Sequence, residues 1–409
     1  MGIIGGILLV LLFGDLLWWW RADRVLRRFP RTHGWRSALG IFMAAQFIGL
    51  ALVLISRGFD VDFGSLLTHQ WLTVIYVWHC LLLFPMLLLW IPYATARAIV
   101  TGVRRLLPLR AARRPAPPAS ESGEPITRRE FARLLGTAAP AVVTLGAAGV
   151  ALWQIEHFRI RRMTIALPNL PEALDGLTIA HVTDLHVGQF TRGEVLDRIV
   201  RATNDLHADL VLYTGDLINF ALSDLDAALA VAGRMRGTHG FFMCEGNHDL
   251  FEDAAEFRRR THAAGLGLLV NESSVVTIRG TPVQLLGLRW GARDSHPHDP
   301  ASRGDGAIAA SMEELLPQRA PGTFPILLAH HPHAFDFAKD IPLTLAGHTH
   351  GGQLMAAPNL GFGPMLYRYW SGLYQDANHA LVVSNGTGNW FPLRTRAPAE
   401  IVHITLRRS

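Results

Sequence analysis

Hydrophobic and polar positions follow two different patterns on either side of residue 154. Before it, apolar residues come in long runs at 1–20, ending in Trp18-Trp19-Trp20, and at 38–56, 71–94 and 134–153. A helix needs ~20 such residues to cross a bilayer, with aromatic side chains favoured at the interface, so the first three runs predict spanning helices. After residue 154 the apolar stretches shorten, and each runs into a polar tip. Residues 177–182 lead into Thr183-Asp184-Leu185-His186, 210–213 into Thr214-Gly215-Asp216, and 241–244 towards Gly246-Asn247-His248-Asp249. Residues 324–329 end in His330, and 343–346 in Gly347-His348-Thr349-His350. Segments 191–206 and 222–235 have helical spacing. Strands alternating with helices predict an α/β domain, and such sheets collect their ligands at the carboxyl edge.

The loops of the first half sort by charge. Arg21, Arg24, Arg27, Arg28, Arg31 and Arg36 crowd the first, the second (57–70) has one Arg and two Asp, and Arg97, Arg104, Arg105, Arg110, Arg113 and Arg114 follow the third run. The positive-inside rule puts the first and third loops in the cytoplasm. Asp15 and His79 are polar exceptions within the runs, read as a proton or ion path or, preferred, as bundle-facing residues. Residues 1–114 are therefore a membrane region, and 115–130 a Pro/Ser-rich linker with a paired Arg128-Arg129. Residues 131–154 form a helix that is either a fourth span or part of a twin-arginine-like export signal. Both readings leave residues 155–409 on the outer face. Arg159, Arg161 and Arg162 pull the other way.

Half the residues are hydrophobic and the formal charge is +5, unevenly spread. Residues 1–154 hold 16 Arg/Lys and 7 Asp/Glu, and 155–409 hold 22 and 26. A second half with net negative charge excludes a nucleic-acid surface, which needs a basic excess. Of 19 histidines, 16 lie after residue 154. Cys80 and Cys244 are too few and too differently placed for a disulfide framework or a thiolate metal site.

Five strands delivering a metal-competent side chain at one end is a pattern with chemical content. In an extended strand alternate residues share a face, so Asp184 with His186, and His348 with His350, can address one point. Gly215, Gly246, Gly347 and Gly351 permit tight turns and close backbone approach. Singly, each tip has an ordinary explanation: Asp216 as a helix cap, His330 as a core histidine, Asn247 in a turn. Together they resemble the signature of the calcineurin-like metallophosphoesterase family, over about 163–407. The branch it looks like is the membrane-anchored or exported phosphodiesterase-like one, given Leu167-Pro168-Asn169-Leu170-Pro171, Gly351-Gly352-Gln353 after His350, and a tail Ser384-Asn385-Gly386-Thr387-Gly388 leading to Ala399-Glu400-Ile401.

The resemblance implies a layered β-sandwich flanked by helices, with two divalent metal ions. It assigns Asp184, His186 and His350 to one ion, Asn247, His330 and His348 to the other, and Asp216 to both. Leu328-Ala329-His330-His331-Pro332 fits the family spacing with His330 as the ligand, and His331 and His333 as neighbours. Arg289 departs from an Asp-containing stretch of relatives. Mixed N/O ligands suit Mn, Fe or Zn rather than Ca. His248 is the expected acid for the leaving group, with Asp249 to orient it. The expected activity is hydrolysis of a phosphate ester, a diester by preference, with a lipid head group as one candidate substrate and membrane lipids as the surroundings. Two rivals stand beside it: a cytoplasmic pyrophosphatase of a nucleotide-linked lipid precursor, and a non-catalytic membrane sensor or scaffold. The sequence sets no oligomeric state.

Overall fold

The computed structural model describes residues 2–29, 32–59, 66–106, 127–291, 304–376 and 378–409. Residues 115–126 of the segment expected as a linker, and Arg31, Arg110, Arg113 and Arg114 of the basic loops, lie outside the described residues. The chain divides into two compact units, Met1–Leu152 and Trp153–Ser409.

The first unit is helical. Its helices are Gly2–Leu26, His33–Phe59, His69–Tyr76 running through a π-helical turn (Val77–Leu83) into Phe84–Leu106, and Arg128–Ile155, which continues into the second unit. Pro85 has no N–H to give to the fourth preceding carbonyl, and Phe84 N–H bonds back to His79 O, so the ladder widens there. Among the described residues three helices, His33–Ser56, His69–Arg104 and Arg128–Ile155, are long and apolar enough to cross a membrane. Asp15 and His79 satisfy each other. His79 Nε2 lies 2.9 Å from Asp15 Oδ2, and Trp78 Nε1 donates to Asp15 Oδ1 at 2.7 Å. They face the bundle interior, where an unpaired polar group is costly. Thr127 and Glu130 form a reciprocal capping box at the start of the last helix, so Arg128 and Arg129 occupy its first turn.

The second unit is built on two six-stranded sheets. One runs in the order Arg159–Leu167, Glu400–Arg408, Thr178–Val182, Leu210–Thr214, Phe241–Cys244, Gly267–Leu268, and its last four strands are parallel. The other runs Gly372–Gln375, Ala380–Val383, Leu343–Ala346, Phe324–Leu328, Thr281–Gly287, Glu272–Ile278, with a parallel centre. Alternation sorts each strand between two layers. Leu210 and Leu212 join Ile326, Leu328, Leu343 and Leu345 in the core between the sheets. Val211 and Tyr213 face outward, against Ile199, Leu225 and Phe257 of the covering helices. On the far face Leu286 and Leu327 pack on Ile308 and Met312 of the helix Asp305–Leu315. With both faces covered, the central strands are apolar at nearly every position. Only their carboxyl ends emerge to carry polar groups.

Candidate metal centre

The chain leaves each central strand through a backbone shape that ordinary residues avoid. Asp184, His186, Asp216, His348 and His350 all have positive φ, between 46° and 71°. They are five of the ten non-glycine residues in that region among the described residues. Each such conformation costs on the order of 1–3 kcal/mol, so five in one place mark a functional constraint. This corrects the expectation of strand alternation. Thr178–Val182 and Leu343–Ala346 have ended before these residues, and left-handed turns, not a pleat, aim the paired side chains at one point. Gly347 makes the approach possible, since a Cβ there would lie 2.1 Å from Asp184 Oδ2 and 2.3 Å from Thr183 Oγ1.

The side chains converge in two groups. His350 Nε2 is 3.3 Å from Asp184 Oδ1 and 2.9 Å from His186 Nε2. His330 Nε2 is 3.2 Å from His348 Nδ1. Asp216 Oδ2 stands between them, 3.5 Å from His186 Nε2 and 3.1 Å from His330 Nε2. Two imidazole nitrogens facing at 2.9 Å have at most one stable proton between them, and a cation is their natural occupant. Asn247 Oδ1 is buried without a hydrogen-bond partner, next in sequence to His248, whose N–H donates to Asp216 Oδ1 at 2.8 Å. An orphaned carbonyl oxygen, a shared carboxylate and paired imidazoles fit two metal ions.

Electrostatics prepare these groups as ligands. Burial and neighbouring imidazoles push His186 and His348 well below the usual histidine range, and burial lowers His350, so all three are neutral donors. Burial opposes the charge of Asp184, but His350 and His330 hold its carboxyl well below normal. His330 is pushed up to about 9, burial being overridden by Asp216, and cation binding must displace that proton. Outer partners hold the ligands in place. Thr183 Oγ1 donates to Asp184 Oδ2 at 2.7 Å, and His330 Nδ1 to Thr214 O at 2.7 Å. Trp290 packs its ring on His330 and His348.

The two residues expected for proton transfer, His248 and Asp249, are held differently. His248 Nδ1 donates to Asn219 O at 2.5 Å, leaving Nε2 available, and its ring meets His186 edge-on. Asp249 does not orient it. The Asp249 carboxylate instead accepts four backbone N–H bonds, from Asp216 and Gly246 at Oδ2 and from Leu217 and Ile218 at Oδ1. It pins two ligand-bearing turns together. Burial and the Asp216 carboxylate raise its pKa to about 8 against those four donors.

Arg394 is a site residue without a sequence signal. Its buried guanidinium donates to Asn389 Oδ1 and to the carbonyls of Asn385, Ala397 and Gly388, and lies 2.9 Å from His350 Nδ1. Burial lowers its pKa to about 10. Arg289, the departure noted above, pairs with Glu314 at 2.5 Å. His331 and His333 stack beside the centre as neighbours.

Residues 177–352 match the family model for calcineurin-like phosphoesterases. The second half of this chain is a calcineurin-like phosphoesterase domain. The family uses two metal ions, and candidate ligand atoms gather here in three overlapping groups, Asp184–His186–His350, His186–Asp216–His248 and Asp216–His330–His348. A transmembrane protein with metallophosphoesterase domain from Danio rerio is 32% identical over 60% of this chain and 56% of its own length. An uncharacterized metallophosphoesterase of Helicobacter pylori is 30% identical over 61% and 64%. The chain thus spans less than two thirds of the length of these two. Phosphodiesterase YaeI of Escherichia coli is 27% identical over 69% of this chain and 99% of its own. The Danio rerio protein is by its name a transmembrane protein, and the apolar helices here suggest membrane association.

Proposed function

We propose that the protein is a membrane-anchored, binuclear-metal phosphodiesterase acting on a phospholipid or other phosphate ester at the outer face of the membrane. Asp184, His186 and His350 would hold one ion, Asn247, His330 and His348 the other, and Asp216 would serve both. The observation that carries this reading is the position of Asp216 Oδ2 within 3.5 Å of one imidazole set and 3.1 Å of the other. When bound, the ions supply a lowered-pKa water as nucleophile and positive charge for the phosphoryl oxygens. Two carboxylates leave such a centre net cationic, so an anionic ester is drawn in. His248, held by Asn219 O, protonates the leaving alkoxide from Nε2. Trp290 shields the imidazole pair on one side from water.

The outward orientation follows from the basic first and third loops. The opposing Arg159 and Arg161 both serve the buried Glu400, at 2.7 and 3.5 Å, which gives them a structural reason to stand after the helix. Stripping metal with chelator and returning Mn should restore cleavage of a nitrophenyl phosphodiester at two metal equivalents. A fully loaded protein that cleaves neither a nitrophenyl diester nor a monoester would overturn the enzyme. Reporter fusions at Ser409 that report a cytoplasmic end would overturn the face and favour the pyrophosphatase.

A further inference from the structure

The cavity over the metal centre has two unlike sides. Its volume is about 430 Å³, and Asp216, Asn247, His348 and His350 form its floor. Its wall is Phe251, Phe362, Leu366, Tyr367 and Trp390. Among the described residues no Lys or Arg lines it. The wall comes largely from the stretch between the last ligand and the edge strand Gly372–Gln375. That stretch folds as a two-stranded hairpin, Met355–Ala357 with Leu360–Gly361, and a short helix, Phe362–Leu366.

This segment exposes apolar bulk that a surface loop has no folding reason to expose. Leu360 is 62% exposed, Met365 73% and Leu366 65%, and Trp390 across the mouth is 42%. Phe220, 49% exposed, lies with its ring centroid 5.4 Å from that of Phe251. These exposed residues are continuous with the wall of the cavity, and a contiguous apolar patch marks a binding surface. Beyond the floor, His248, Thr349 and Gln353 are its polar lining, and Gln353 Oε1 has no hydrogen-bond partner among the described residues. Thr349 gives its hydroxyl proton to Trp370 O, and Gln353 gives its amide N–H groups to Phe391 O and Leu393 O. Phosphate is accommodated at the floor, hydrocarbon at the wall.

We propose that the wall binds the hydrocarbon chain of an amphiphilic phosphodiester. The scissile phosphate lies at the floor, and the chain leaves over Leu366 towards Met365 and Leu360. This rests on the phosphodiesterase reading above. Each methylene moved fully from water to an apolar surface contributes about fourfold in binding, so a partly covered chain should give about two- to fourfold per methylene.

The test uses full-length protein in nanodiscs, loaded with Mn, its metal content measured, and a series of alkyl nitrophenyl phosphodiesters from ethyl to hexyl. The kcat/KM should climb about two- to fourfold per methylene, and equilibrium binding of the uncleaved alkylphosphonates should follow the same order. Met365→Ser with Leu366→Ser should lower the hexyl-to-ethyl ratio at least about fivefold, and Leu366→Phe should keep it. These positions are exposed, so the polar variants should fold. A flat profile with measurable ethyl cleavage overturns the chain site and leaves the phosphodiesterase standing. A slope that survives the serine pair belongs to the surrounding lipid and also overturns it. A flat profile with lowered thermal stability in the serine variants means that protein covers the rim, and overturns it as well. No cleavage of any ester by loaded protein overturns the underlying reading instead.

Discussion

Asp249→Asn separates a carboxylate that holds the site together from one that orients an acid. In the native protein Oδ2 accepts from Asp216 N and Gly246 N at 2.9 Å each, and Oδ1 from Leu217 N at 2.7 Å and Ile218 N at 3.1 Å. An amide keeps one acceptor oxygen. Its NH2 would face two N–H donors, leaving that pair unsatisfied in a site from which water is excluded. Each buried N–H left unpaired costs ~1–3 kcal/mol, so the substitution should cost ~2–6 kcal/mol. That is a large part of the ~5–15 kcal/mol that holds a domain together. In a unit of this size it corresponds to a fall in Tm on the order of 10 °C. Because the turns that come apart carry Asp216 and Asn247, metal should be lost together with stability. Thermal unfolding in detergent and metal content after dialysis measure the two effects. A variant that melts at the wild-type temperature, retains two metal equivalents and changes only its pH–rate profile would refute this reasoning and restore Asp249 as the orienter of His248.

Gly347→Ala should act on the other ion. The new methyl would lie 2.1 Å from Asp184 Oδ2, and the carboxylate must move. Affinity for metal at the Asp184 side should fall about 10–100-fold, read by competition with a chelating dye, and an unchanged affinity would show that the turn can yield. His248→Ala should keep both metals and lose about 10²–10⁴ in kcat on an alkyl leaving group, with a much smaller loss on nitrophenolate, which needs no proton. Equal losses on both leaving groups would exclude His248 as the acid.

The placement of the ligands was legible because the chemistry is local. An apolar strand and its polar tip are consecutive in sequence, and the covered central strands are too apolar to be anything but buried. His330 could be separated from His331 by spacing, and the structure puts Nε2 of the former, at 3.1 Å, beside Asp216. The manner of convergence was not legible. Alternation in an extended strand would have aimed Asp184 with His186, but left-handed turns do so, and these non-glycine residues carry no composition signal for that shape.

What the sequence by itself determined is the division at residue 154, the covered sheets, and the identity of the side chains at their carboxyl ends. Periodicity and local propensity decide these. Tertiary structure alone decided the partnerships: Asp249 with the backbone of a turn 31–33 residues away, Arg394 with His350 across 44, and Asp15 with His79 across 64. It also decided that Phe362 and Leu366, unremarkable as residue types, line the same cavity as Asp216, His348 and His350. A hydrogen bond between distant residues exists only once packing has excluded water and brought donor to acceptor. The same packing turns a short apolar segment into either core or an open wall.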